Sequence, residues 1–265
     1  MNETLILAIT TMGGLGFIFA GGLALADKKL KVKENPLIEQ IYEILPGANC
    51  GACGKAGCYD FAVNVVEGKM KINGCPVGGA EVSNAIAKIL GVDNEIQIKT
   101  VPRILCRGGV NNAKEKPTNY VGPQSCSVME MVGGGAMLCE YGCLGGGDCI
   151  AACQFGALVM GENNIPELIE DLCTSCGLCA KACSRNIIEM HPIDRKVFVF
   201  CKNHDDPKKA MSVCSAACTG CGICARASNG SIVINNSLAE INYESFYAAD
   251  FPFEKCKTKA ISYLE

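Results

Sequence analysis

At 265 residues with 6% aromatic residues and no Trp, the chain has length for two or three compact units but little of the bulky apolar material that fills a large core. A net charge of -3 says little about partners, and no basic block points to nucleic acid. Twenty Cys would suit a disulfide-rich secreted protein, but such scaffolds are usually short. Cys-x2-Cys repeats fit iron-sulfur ligation better, with inorganic clusters replacing much of the core.

Residues Leu5 to Ala26 carry no charge, and as a helix rising about 1.5 Å per residue they reach roughly 33 Å, enough to cross a hydrocarbon core. Residues 1–27 are therefore expected to be a transmembrane anchor, followed by a basic linker at 28–34. Glu3 precedes the span, and Lys28, Lys29, Lys31 and Lys33 follow it, the reverse of a cleaved signal peptide. The positive-inside rule predicts a single-pass protein of the cell (inner) membrane with its Cys-rich body on the cytoplasmic side. Gly16, Ala20 and Ala24 recur every four residues, either as a flat stripe for a partner helix or as the small residues common in such spans.

Residues 35–92 read as a small helical 4Fe-4S domain. Pro36 suits a first helical turn, Ile38, Ile41, Ile44 and Leu45 share a face, and Pro46-Gly47 ends the helix. Cys50, Cys53, Cys58 and Cys75 follow as Cys-x2-Cys-x4-Cys-x16-Cys, with an amphipathic helix around Phe61, Val65 and Val66. Structural zinc usually takes two Cys-x2-Cys or Cys-x2-His knuckles, and the last two Cys stand alone, so iron is favoured. Ala80 to Leu90 predicts a closing helix stopped by Gly91.

Residues 93–135 form a strand and linker region, with a strand over Ile96 to Leu105 and a polar loop over Asn111 to Pro117. It carries Cys106 and Cys126. Cys106 follows one apolar strand and Cys201 follows another, Val197 to Phe200, so the two resemble counterparts, each trailed by an isolated Cys, Cys126 and Cys214. These four are either buried free thiols or a fifth cluster site.

Residues 136–200 read as a two-cluster ferredoxin-like domain. Cys173, Cys176, Cys179 and Cys183 form the Cys-x2-Cys-x2-Cys-x3-Cys run in which three sulfurs hold one cube and the fourth serves the other. Crossing predicts that Cys139, Cys143 and Cys149 share a cluster with Cys183, and that Cys173, Cys176 and Cys179 share one with Cys153. Gly145, Gly146 and Gly147 give the first loop freedom to wrap a cube. Gln154 and Ser184 stand where Pro usually follows the fourth Cys.

Residues 201–265 repeat that plan in degenerate form. Cys218, Cys221 and Cys224 keep the spacing, Ser228 stands at the fourth position, and Cys256 is the distal ligand that completes a cube with them. A local set of Cys214, Cys218, Cys221 and Cys224 is the alternative. The second cube is expected to be lost, since Ser245, Ala248 and Phe251 stand where its ligands would be. Ile232 to Ile234 and Ile241 flank an Asn235-Asn236 turn, as in a short hairpin. The fold class is thus α+β: a transmembrane helix, a small helical 4Fe-4S domain, then tandem ferredoxin-like domains of which the last is degenerate.

The order of parts, with Cys50-Gly-Ala-Cys53-Gly-x3-Cys58 and Gly142-Cys143-Leu144-Gly145-Gly146-Gly147-Asp148-Cys149, closely resembles the B subunit of Rnf complexes over nearly the whole chain. The resemblance implies a membrane-anchored electron-transfer subunit of an ion-translocating ferredoxin:NAD oxidoreductase. It implies electrons taken from soluble ferredoxin and passed to other subunits of the complex. At least four 4Fe-4S clusters are expected, and five if the remaining thiols bind one. No catalytic residue is expected: His191 and His204, the only histidines, are read as loop or surface residues. No Gly fingerprint for a dinucleotide follows a predicted strand, so NAD and flavin are expected on partner subunits. The alternatives are a stand-alone iron-sulfur donor for a single enzyme, since Cys50 to Cys75 also resembles a domain of corrinoid iron-sulfur proteins, and a zinc-scaffolded interaction protein.

Overall fold

The computed structural model describes residues 3–30, 35–94, 98–246 and 251–264. Lys31, Lys33, the expected strand start at Ile96 and Ala248 lie outside the described residues. Helix α1 (Glu3–Leu30) is apolar throughout its middle, and side chains such as Phe17 and Met12 are exposed. Its Ile9–Lys29 stretch is long and apolar enough to cross a membrane.

The helical domain follows its sequence signals closely. Helix α2 (Pro36–Ile44) starts at Asn35, whose side chain accepts the Leu37 N–H, and α3 (Cys58–Val66) begins on a cysteine. Helix α4 (Gly79–Leu90) stops at Gly91, whose φ of 66° a side chain would resist. Ile41, Phe61, Ala62, Val65 and Ile86 interlock as its core.

Beyond it the chain forms two repeats with one nested strand plan. In the first, β1 (Thr100–Ile104) pairs antiparallel with β4 (Ile188–Pro192), and inside them β2 (Leu158–Met160) pairs with β3 (Pro166–Leu168). In the second, β5 (Val197–Val199) pairs with β8 (Ile261–Tyr263) around the hairpin of β6 (Ile232–Asn235) and β7 (Leu238–Ile241). Asn236 and Ser237 turn that hairpin with φ of 43° and 63°, the left-handed pair a tight hairpin needs. The boundaries expected at 136 and 201 cut both outer pairs, because β1 precedes the first unit as drawn and β5 belongs with β8. Local spacing could not reveal this, since the partners lie far apart in sequence.

Leu105, Phe198 and Phe200 join the repeats in one buried cluster. Arg107 stacks 4.3 Å from the Phe200 ring and Arg195 3.7 Å from the Tyr243 ring. His191, expected at the surface, is instead buried in β4 against Phe198 and Tyr243; His204 is exposed. Buried Arg103 on β1 pairs with Glu170 at 2.6 Å, and the hydrogen bond it donates holds the Glu170 carboxyl below its usual range.

Candidate metal centres

Cys50, Cys53, Cys58 and Cys75 line one cavity of about 340 Å³ between α2 and α3. Asn49 shapes it: φ is 45° there, and its side chain accepts the Cys58 N–H at 2.8 Å, fixing the start of α3. Burial raises the Cys75 thiol, and the neighbouring Cys53 and Cys58 raise it further.

In the first repeat the sequence expectation requires a correction. Cys126, Cys143, Cys149 and Cys183 line a cavity of about 380 Å³, and Cys139 is absent from its walls. Superposing the two motifs by number explains the exchange. Cys143 and Cys149 are spaced as Cys218 and Cys224 are, and Gly146 stands where the second repeat has Cys221. A Cβ on Gly146 would lie 2.6 Å from the Cys126 backbone N and 3.1 Å from its sulfur. The missing middle thiol is thus supplied from α5 (Cys126–Met131), and Gly is needed at 146 to admit it. Asp148 anchors that helix, accepting the Cys126 and Ser127 N–H groups at 2.9 and 3.0 Å and the Ser125 hydroxyl at 3.1 Å. Partial burial works against its charge, yet these donors hold its carboxyl below the usual range. Arg185 follows Cys183 closely, and its buried side chain donates to the carbonyls of Cys139 and Gly142 and pairs with Glu130, tying three segments together.

Cys153, Cys173, Cys176 and Cys179 form the next group. Burial pushes the Cys179 thiol up to about 12, with Cys176, Cys173 and Cys149 adding to it; burial also raises Cys173, aided by Cys176 and Cys153. Cys143 and Cys149 are likewise pushed up by burial to about 12 and about 11, with Cys126 a neighbour of both.

In the second repeat Cys218, Cys221, Cys224 and Cys256 line a broad cavity of about 960 Å³, and Cys221 is the exposed member. Cys214 lies elsewhere, so the local alternative set is not assembled. Ser228 turns inward on its own loop, accepting the Ile232 N–H and donating to the Ala225 carbonyl. Phe251 packs between Phe246 and Phe253, at 5.5 and 5.0 Å between ring centres.

The last group joins Cys139 to Cys106, Cys201 and Cys214 around a cavity of about 430 Å³. Two sequence expectations are revised here. Cys139 leaves the first ferredoxin set, and Cys126 leaves the group of isolated thiols. The available signal was the four-residue step from Cys139 to Cys143, which recurs from Cys214 to Cys218.

Among the described residues no three His, Cys, Asp or Glu converge closely enough to hold a single metal ion. A zinc site draws its sulfurs to about 2.3 Å from one centre. Here the thiols line cavity walls in groups. Thiolates so grouped repel one another, so loading replaces several protons with a cationic core. The residues fit 4Fe-4S clusters.

Nested two-strand layers studded with such thiol groups are those of an iron-sulfur electron carrier. A family model for an Fe-S cluster matches residues 45–77, and one for a 4Fe-4S binding domain matches residues 166–189. The chain is 40% identical over 262 residues to the B subunit of the ion-translocating oxidoreductase complex of Methanosarcina acetivorans, spanning 98% of this chain and 99% of the relative. It is 39% identical over 263 residues to the B subunit of the Na(+)-translocating ferredoxin:NAD(+) oxidoreductase complex of Acetobacterium woodii, spanning 99% and 79%. It is 35% identical over 242 residues to the proton-translocating counterpart of Clostridium ljungdahlii, spanning 91% and 85%. The chain belongs to this family, the B subunits of Rnf-type ion-translocating ferredoxin:NAD oxidoreductase complexes. Family membership and the apolar α1 together support association with a membrane.

Proposed function

We propose that the chain is the electron conduit of such a complex, taking electrons from reduced soluble ferredoxin and delivering them to partner subunits that hold NAD and flavin. Helix α1 anchors it, with the Cys-rich body on the cytoplasmic side where Lys28 and Lys29 follow the span. Four ligand sets carry the reading: Cys50, Cys53, Cys58 and Cys75; Cys153, Cys173, Cys176 and Cys179; Cys126, Cys143, Cys149 and Cys183; and Cys218, Cys221, Cys224 and Cys256. When bound, 4Fe-4S clusters supply one-electron chemistry at potentials set by burial and by hydrogen bonds to sulfur.

The observation that carries the proposal is that successive sets are neighbours in the fold. Cys75 and Cys173 line one cavity of about 960 Å³ between the helical domain and the first repeat. The Cys179 thiol feels Cys149 of the next set. The protein contributes position, exclusion of water and N–H donors to sulfur, and no proton need move. Exposed Cys221 marks the end set at which an external one-electron carrier has access.

The test is anaerobic. Full-length protein with its native iron is mixed with chemically reduced ferredoxin, and the visible iron-sulfur absorbance is followed. Bleaching, with matching reoxidation of the ferredoxin, is expected; iron present without bleaching would sink the conduit reading.

A further inference from the structure

We propose that Cys106, Cys139, Cys201 and Cys214 hold a fifth iron-sulfur cluster, shared between the two repeats. The inference rests on the iron-sulfur reading above and adds a site that neither matched family model covers.

Each repeat supplies two of the thiols from equivalent places. Cys106 comes two residues after β1 and Cys201 two residues after β5; Cys139 precedes Cys143 by four residues and Cys214 precedes Cys218 by four. Hydrogen bonding repeats as well. The Cys106 sulfur accepts the N–H groups of Gly108 and Cys143, both at 3.4 Å. The Cys201 sulfur accepts those of Asn203 and Cys218, at 3.4 and 3.3 Å. Each sulfur therefore takes the N–H two residues on and the N–H of the leading cysteine in its own repeat's motif. A chance meeting of free thiols would not reproduce both the positions and the donors.

The surroundings suit a buried anionic cluster. Cys139 and Cys214 are 8% and 6% exposed, and the cavity is walled by thiols as that at Cys50 to Cys75 is. Gly142 fits against both Cys139 and Cys106, since a Cβ there would stand 3.4 and 3.6 Å from their sulfurs. Asn203 is 1% exposed; its amide faces the Cys139 sulfur at 3.9 Å, while its oxygen accepts the Asp205 N–H. Its counterpart in the first repeat is Gly108, so one side of the site has an extra donor that favours the reduced, more negative state. Because Cys143 and Cys218 each lead a neighbouring set, the site links the two repeats electronically.

Full-length protein reconstituted anaerobically with iron and sulfide tests this by iron, labile-sulfide and zinc analysis. Wild type is expected to hold about twenty iron per chain rather than about sixteen, and Cys106→Ser with Cys201→Ser to lose about four iron and four sulfide. Adding Cys139→Ser should remove no more, whereas adding Cys126→Ser should remove about four further iron. Asn203→Leu should keep the iron and lower one midpoint potential in a redox titration followed by electron paramagnetic resonance. Equal iron in wild type and the double variant, or zinc without sulfide at this site, overturns the proposal. If the double variant does not fold, the wild-type count and the Asn203→Leu titration decide. About sixteen iron with intact reduction by ferredoxin removes the fifth site and leaves the conduit standing.

Discussion

The first repeat closes its outer pair, β1 and β4, over the thiols of Cys153, Cys173, Cys176 and Cys179. The second closes β5 and β8 over the packed rings of Phe246, Phe251 and Phe253. The comparison teaches that one strand plan can be filled by a group of thiols, proposed here to hold a cube, or by a small aromatic core. In the proposed reading the first filling conducts and the second only packs. In that reading the second repeat has one set of its own, Cys218, Cys221, Cys224 and Cys256, beside the site it shares with the first.

If Phe251 replaces the lost cube as a core, Phe251→Ala should be costly. Removing a buried Phe side chain loses about 3–5 kcal/mol, so denaturant unfolding should show the second repeat melting early while the first keeps its iron. Equal destabilisation of both repeats would break the comparison. A smaller effect separates the two cluster motifs. Gly146→Ala places a methyl group against the Cys126 N–H and should cost about 1–3 kcal/mol and deplete the iron of that set. Cys221→Ala at the equivalent position of the second repeat introduces no such clash and should deplete only its own set.

The smallest expected effect lies at the seam between the repeats. Glu189 of the first is bonded to His191 and to Lys202 of the second, and the bond from His191, then that from Lys202, holds its carboxyl down to about 2 despite partial burial. A depressed carboxyl stabilises the fold above its unfolded value of 4.5, and that contribution is lost as pH falls from there towards about 2. Solvent screening keeps it under about 1 kcal/mol. Glu189→Gln should therefore lower the melting temperature slightly at neutral pH, and the gap to wild type should close as the medium is acidified through that window. A gap that persists unchanged would assign the effect to packing.

Much of the fold was legible in short-range signals. The Pro36 start and the Gly91 stop are each fixed by neighbouring backbone geometry, and the helical domain follows from them; the hairpin turn was expected at Asn235-Asn236 and falls one residue later, at Asn236-Ser237. The thiol runs at Cys50 to Cys75 and Cys173 to Cys179 stood out in the same way, because most of their cysteines follow one another at short intervals. Cys139 is misleading for the same reason, since adjacency to Cys143 suggests a common site.

The residues alone determined the chemistry: thiols at cluster spacing, an apolar helix with its positive flank, and Ser228 in place of a fourth ligand. Only the tertiary structure decided which thiols meet. Cys126 reaches the gap at Gly146 through the Asp148 anchor, and Cys139 turns to Cys106, Cys201 and Cys214. The reason is physical: ligand runs obey local loop geometry, whereas a thiol arriving from another segment is placed by strand pairing and packing across distances that no local pattern encodes.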